Sequence, residues 1–312
     1  MAFINELSEN EEIYEQLLVV QQNKCMSNNG AAYLNITLQD KTGTLEGKVW
    51  SATPYDIDTF QVGNVVKVHG IVNIYKDKLQ LKILDAEKVD KEKADPKRFA
   101  QEAPLPLEEM ETDLKSLINK VKDEEYHTLL TNIFKEVGKD YVLAPAATRN
   151  HHEYMSGLIH HSVSMAKLVD MISDFYLDLD KDILITGALI HDIGKIKELS
   201  GPIAPKYTLE GKLVGHISIM HAYVNEKCKE MNMDEEKRIL IEHMILSHHG
   251  KYEFGSPVLP LTKEALILNM VDDMDAKLNT LNKELAITKP GEFTQKIFPL
   301  DDRYFYKPKN SK

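Results

Sequence analysis

Ala188-Leu189-Ile190-His191-Asp192-Ile193-Gly194-Lys195 is the stretch on which the reading of this chain turns. An apolar helix starting near Asp182 is expected to end here, with Gly194 closing it. It ends on a histidine beside an aspartate. Adjacent helical side chains diverge unless a common object lies between them. A metal ion is the simplest such object, because imidazole and carboxylate both bind divalent cations.

Other segments repeat the pattern. Eleven of the twelve histidines fall after residue 126. On a helical wheel His161 shares its face with Leu158, Met165, Leu168, Val169 and Ile172, whereas His160 faces Ser156, Ser164 and Lys167. His216 falls with Ile219, Met220 and Tyr223, and His248 with Ile241, Met244 and Ile245. Asp272 falls with Ala265, Leu268 and Ala276. Five helical segments thus each put a His or Asp on an apolar face. A buried polar group must be paired, and one shared metal site pairs all five more economically than five separate partners.

Composition sets the class. The chain has 312 residues, 43% hydrophobic and 28% charged, which suits one large or two smaller globular domains. No apolar run approaches the ~20 residues of a membrane span, and no secretory leader is read. Cys25 and Cys228 lie far apart, so free thiols in a reducing cytoplasm are expected. The net charge of −11 argues against a generic polyanion binder. It does not exclude a nucleic-acid enzyme, since bound cations reverse the local charge where phosphate must sit.

Ahead of the helices the period changes. Residues 1–20 read as an amphipathic lead with Ile13, Leu17 and Leu18 on one face. Alternation from Ala32 to Leu38, the turn Asp40-Lys41-Thr42-Gly43, and alternation from Thr44 to Trp50 make a hairpin. Val65–Val72, the turn Lys76-Asp77 and Leu79–Ile83 add further strands. About five short strands in so short a span predict a closed barrel. Domain 1–90 is followed by a charged, proline-bearing linker 91–110, helices over 111–288 and an irregular aromatic tail 289–312. The fold class is therefore multidomain, a small all-β barrel followed by an all-α domain.

The barrel, through Tyr33–Trp50 and Val62-Gly63…Val68-His69-Gly70, resembles an OB-fold of the anticodon-binding type. Such folds hold oligonucleotides by stacking and basic contacts. The candidates are Tyr33, Trp50, Lys67, Tyr75, Lys76, Lys78 and Lys82, with Tyr33 and Trp50 equally readable as core or edge aromatics. Residues 1–90 carry 8 Lys, no Arg and 13 Asp plus Glu, so any binding groove is a local lysine patch.

The order His161…His191-Asp192…Asp272 resembles the HD phosphohydrolase superfamily, and His191-Asp192-Ile193-Gly194-Lys195 its HDIG form. With the barrel ahead of it, the chain resembles the YhaM family of bacterial 3′-to-5′ exoribonucleases. Asn150–Tyr154, Ile245–Gly250 and Val271–Leu278 carry that resemblance. It implies a primary metal site of His161, His191, Asp192 and Asp272, with Asp273 and Asp275 as alternatives for the last aspartate. It implies a second ion on His216, His248 and His249, with Asp192 bridging and Lys195 contacting phosphate. Arg149, His151 and His152 precede the first ligand helix and either line the substrate entry or are plain polar loop residues, and His243 would be structural.

The implied cofactor is a pair of divalent ions, manganese ahead of iron or magnesium. The implied reaction is hydrolysis of single-stranded RNA from its 3′ end to nucleoside monophosphates, with DNA as a further substrate and homo-oligomerisation left open. Two rival readings differ in substrate or in chemistry. One is a phosphohydrolase of free or cyclic nucleotides with the barrel as a regulatory module. The other is a DNA- or RNA-binding factor without catalysis.

Overall fold

The computed structural model describes residues 2–26, 30, 32–76, 78–100, 102–148 and 154–310. The chain divides into two compact units, Met1–Gln101 and Glu102–Lys312.

The first unit is a closed five-stranded barrel. Its strands are β1 (Glu12–Met26), β2 (Ala32–Asp40), β3 (Gly43–Trp50), β4 (Val65–Tyr75) and β5 (Lys78–Val89), in the spatial order β1-β2-β3-β5-β4. The β3–β5 pairing is parallel and the other pairings are antiparallel. Alternation on β2 buries Leu34, Ile36 and Leu38 against Leu17, Val68 and Leu81. A short helix, α1 (Pro54–Thr59), is capped by Thr53 and started by Pro54. The following Phe60 is fully buried.

The opening segment corrects the expectation of an amphipathic lead over residues 1–20, because residues from Glu12 onward form β1. Ile13, Glu15 and Leu17 alternate inward, and a register shift between Val19 and Gln21 then breaks the period. The inward Glu15 obscures the strand pattern. It is 8% exposed and its Oε2 meets Arg98 at 2.7 Å. Arg98 also donates to the Gln16 and Ala2 carbonyls. With Ala94 and Phe99 buried as well, residues 91–100 of the expected linker close onto the barrel. In the expected Lys76-Asp77 turn, Lys76 has φ 51°, while Asp77 lies outside the described residues.

The second unit is helical: α2 (Leu107–Lys120), α3 (Glu124–Leu143), α4 (Gly157–Phe175), α5 (Lys181–Ile190), α6 (Lys195–Glu198), α7 (Leu209–Leu213), α8 (His216–Glu230), α9 (Glu235–Ser247) and α10 (Lys263–Ile287). Asp123, Asp180, Asp234 and Thr262 cap α3, α5, α9 and α10. Helix α5 is the axis. Every residue from Ile183 to Ile190 is buried, so it is apolar all round and is packed by α2, α3, α4, α9 and α10. Burying side chains such as Leu184 and Leu189 contributes about 1.5–3 kcal/mol each. The chain emerges from this axis at His191, still inside the unit. Among the described residues no helix is long and apolar enough to cross a membrane.

Candidate metal centre and nucleic-acid face

Seven predicted residues converge where α5 ends. His191 is the C-cap of α5, and His248 caps α9 in the same way. His161 lies on α4, His216 begins α8 and Asp272 lies on α10. His191, His248, His161 and Asp192 are at most 2% exposed. The Nε2 atoms of His191 and His161 lie 3.3 Å apart. Asp272 Oδ1 is 3.3 Å from His161 Nε2.

Asp192 sits between two groups of candidate ligands. Its Oδ2 faces His191 Nε2 at 3.4 Å and His161 Nε2 at 3.7 Å. Its Oδ1 faces His216 Nε2 at 3.4 Å and His248 Nε2 at 3.7 Å. One ligand atom each from Asp192, His216, His248 and His249 lies within 4.8 Å of the others, and the same holds for His161, His191 and Asp192 and for His191, His248 and Asp272.

Every histidine ring is held from behind. Nδ1 of His191, His248 and His249 meets the carbonyls of Ala188 (3.0 Å), Ile245 (2.7 Å) and Phe254 (2.7 Å). Nδ1 of His161 meets Asp275, and that of His216 meets Glu198. A carbonyl or carboxylate oxygen only accepts, so each Nδ1 carries a proton and Nε2 is the atom each ring turns toward the cluster. Metal-binding histidines are typically oriented in this way.

Asp192 Oδ1, His216 Nε2 and His248 Nε2 are buried, converge on one another and have no hydrogen-bond partner among the described residues. An unsatisfied buried polar group costs about 1–3 kcal/mol, and here three share one spot. A divalent cation satisfies all of them at once.

Burial and the neighbouring charges pull these groups in opposite directions. Burial alone would raise the Asp192 carboxyl, but Lys195 and the surrounding imidazoles hold it well below the usual carboxylate range. Burial would also raise Asp272, and His161 holds it low. Burial would lower His161, yet Asp272 and Asp275 lift it to about 10. Burial keeps His248 and His249 low and therefore neutral. Lys195 is itself 8% exposed, with Nζ 2.6 Å from Asp192 Oδ2. The structure places it on the Asp192 carboxylate.

Gly194 corrects the expectation of a helix-closing glycine. Its φ is −54°, so it supplies no left-handed cap. Instead, a Cβ there would lie 2.2 Å from the His216 carbonyl oxygen. The glycine lets the turn after Asp192 approach the start of α8. His243, expected to be structural, accepts from Leu261 N through Nε2 at 2.9 Å. Arg149, His151 and His152 lie outside the described residues.

On the barrel, Tyr33 and Trp50 are cross-strand partners with ring centroids 5.0 Å apart. Trp50 is 50% and Tyr75 53% exposed, which excludes a core role for both. The Lys48 ammonium lies 5.8, 5.5 and 5.1 Å from the rings of Tyr33, Trp50 and Tyr75. Lys76 lies over Tyr75 at 5.5 Å. Lys82 is the β5 partner of Lys48, and Lys78 that of Tyr75. Lys67 stands on β4 with Glu87 at 3.5 Å and is not brought into the aromatic group.

Comparison with known proteins follows this division. Residues 158–277 match the HD domain family, and residues 19–89 match an OB-fold nucleic acid binding domain. The 3′-5′ exoribonuclease YhaM of Bacillus licheniformis is 40% identical over 306 residues, covering 98% of this chain and 97% of that protein. The 3′-5′ exoribonuclease YhaM of Bacillus subtilis (strain 168) is 40% identical over 299 residues, covering 96% and 95%. The chain belongs to the YhaM family.

The HD match of this YhaM-family chain contains the seven converging residues together with Asp275 and Glu198. Sequence reasoning missed Glu198. It is buried, and its Oε1 accepts from both the backbone N–H and Nδ1 of His216, each at 3.0 Å. Its place seven residues after His191 was the available signal. Asp275 is no substitute for Asp272: the two face different nitrogens of His161. Lys48 was also missed, although it is two residues from Trp50 on the same strand face.

Proposed function

We propose that this chain is a metal-dependent 3′-to-5′ exoribonuclease that shortens single-stranded RNA to nucleoside monophosphates at the Asp192-centred cluster. The observation that carries this reading is the division of Asp192, one oxygen toward His161 and His191 and the other toward His216 and His248. One carboxylate with ligands on both sides suits two cations. His161, His191 and Asp272 would hold one, and His216, His248 and His249 the other, with Asp192 shared. Imidazole-rich ligation with carboxylates favours manganese or iron over magnesium.

Cations bound there would supply an activated water and neutralise charge on the scissile phosphate. The chain's own residues do the rest. Backbone carbonyls, Asp275 and Glu198 fix which nitrogen each imidazole presents. Lys195 holds a buried positive charge beside Asp192 Oδ2, where negative charge from an incoming phosphate would accumulate. The enclosing apolar shell of α4, α5 and α9 keeps bulk water away, which strengthens each of these interactions. The Tyr33–Lys48–Trp50–Tyr75 group would hold bases by stacking and phosphates by charge.

The test is digestion of RNA labelled at its 5′ end, with manganese, magnesium or chelator, alongside the same sequence as DNA and a panel of free and cyclic nucleotides. The expected result is a ladder shortening from the 3′ end in manganese and no reaction in chelator. Turnover of nucleotides with intact RNA would overturn the proposal.

A further inference from the structure

We infer that the C-terminal hairpin, residues 289–310, is a second surface for single-stranded RNA, separate from the barrel face. The inference rests on the RNA substrate proposed above. The segment lies outside both family matches, which end at residues 89 and 277.

The hairpin is built and anchored. Phe293 pairs with Tyr306 and Ile297 with Arg303. Thr294 N donates to the Phe305 carbonyl and Lys307 N to the Glu292 carbonyl, both at 2.9 Å. Thr294, Ile297 and Leu300 are buried beneath it. The Lys307 ammonium reaches the carbonyls of Leu285 and Thr288 at 2.7 and 2.8 Å, tying the hairpin to the end of α10. Its outer side chains are therefore held on a fixed support.

Those outer side chains are aromatic. Phe293 is 64% exposed, Phe298 83%, Tyr304 54% and Tyr306 45%. The rings of Phe293 and Tyr306 are 5.2 Å apart. Four large rings on one short hairpin expose apolar area that a folded chain ordinarily covers.

Cations stand among the rings. Residues 289–310 hold five Lys and Arg (289, 296, 303, 307, 309) against three Asp and Glu (292, 301, 302), in a chain of net charge −11. The Lys296 ammonium lies 6.0 Å from the Tyr304 ring, and the Arg303 guanidinium 5.4 Å from that of Phe305. Arg303 also pairs with Asp301 at 3.1 Å. Lys289, Lys296 and Lys309 are exposed and have no ion-pair partner among the described residues. Exposed rings give faces on which any base stacks, and unpaired lysines attract the phosphates between bases. The local excess of positive charge in an acidic chain favours a polyanion.

The test measures binding of a fluorescent 30-nucleotide single-stranded RNA to the full chain in chelator, across a salt series. The Lys289→Gln/Lys296→Gln/Lys309→Gln variant changes exposed, unpaired side chains. It is expected to bind several-fold more weakly and to lower the slope of log affinity against log salt by about 2, at roughly 0.7 per phosphate contact. Tyr304→Ala with Tyr306→Ala is expected to weaken binding about tenfold by loss of stacking. Unchanged affinity and slope in both variants would overturn the inference. So would a change confined to sedimentation, which would assign the hairpin to contact between copies. Binding in chelator is independent of turnover, so a wild-type chain that fails to digest RNA would sink the proposed activity and leave this measurement intact.

Discussion

His161 Nδ1 lies 2.7 Å from Asp275 Oδ2, while its Nε2 faces Asp192 and Asp272. This fixes the tautomer and aims Nε2 at the cluster. Asp275→Asn keeps the shape but removes the full negative charge that makes the imidazole a stronger donor. Manganese affinity is expected to fall about 10- to 100-fold, with RNA hydrolysis restored in part by excess metal. Calorimetric titration of manganese checks this. Unchanged affinity would show that Asp275 does not support the site.

Gly194 and His216 meet backbone to backbone. The 2.2 Å approach of a Cβ to the His216 carbonyl cannot be relieved by rotating a side chain. Gly194→Ala is expected to cost about 1–3 kcal/mol of stability and to displace the start of α8. Thermal melting together with metal stoichiometry is the check, and one bound ion fewer is expected. A variant with wild-type melting and full stoichiometry would contradict the packing described.

Acid stability should depend on Asp170. Burial alone would raise its carboxyl, but the ammonium groups of Lys120 (2.5 Å) and Lys181 (2.7 Å) outweigh this and lower it. A carboxyl lowered in the folded state stabilises above its unfolded value of about 3.9, and that stability is lost as pH falls through the folded value. Asp170→Asn should therefore be less stable than wild type by about 1–2 kcal/mol near pH 6, discounted because Lys120 is half exposed. The difference should shrink as pH drops below 4. Urea unfolding at pH 6 and pH 3 measures both, and a pH-independent difference would exclude the charge effect.

The barrel face makes a separate prediction. Trp50→Ala should weaken single-stranded RNA binding by about 1–3 kcal/mol, and Lys48→Gln should reduce the salt slope by about 0.7. Anisotropy in chelator reads both. Neither change would appear if the Tyr33–Trp50 pair served only the barrel's packing.

The sequence showed which polar residues face the helical core because helix periodicity is local: His161, His216 and Asp272 sit among residues that the 3.6 period makes apolar. It did not show that the two oxygens of Asp192 face different histidines, since that depends on where α4, α8 and α9 end in space. Strand β1 was obscured by the inward Glu15, whose partner Arg98 is more than eighty residues away. Lys48 was hidden for a related reason: its aromatic neighbours come from three strands. The role of Gly194 was misread because a close backbone approach leaves the same glycine in the sequence as a cap.

Side-by-side digestion of 5′-labelled single-stranded RNA by the wild-type chain and by Asp192→Asn in saturating manganese tests the central claim most directly. The wild type is predicted to shorten the RNA stepwise from its 3′ end. Asp192→Asn should lose about 10³-fold or more in rate while keeping its fold, because a neutral amide cannot serve cations on both sides. An Asp192→Asn chain that digests RNA at a rate within tenfold of wild type would contradict the Asp192-centred site.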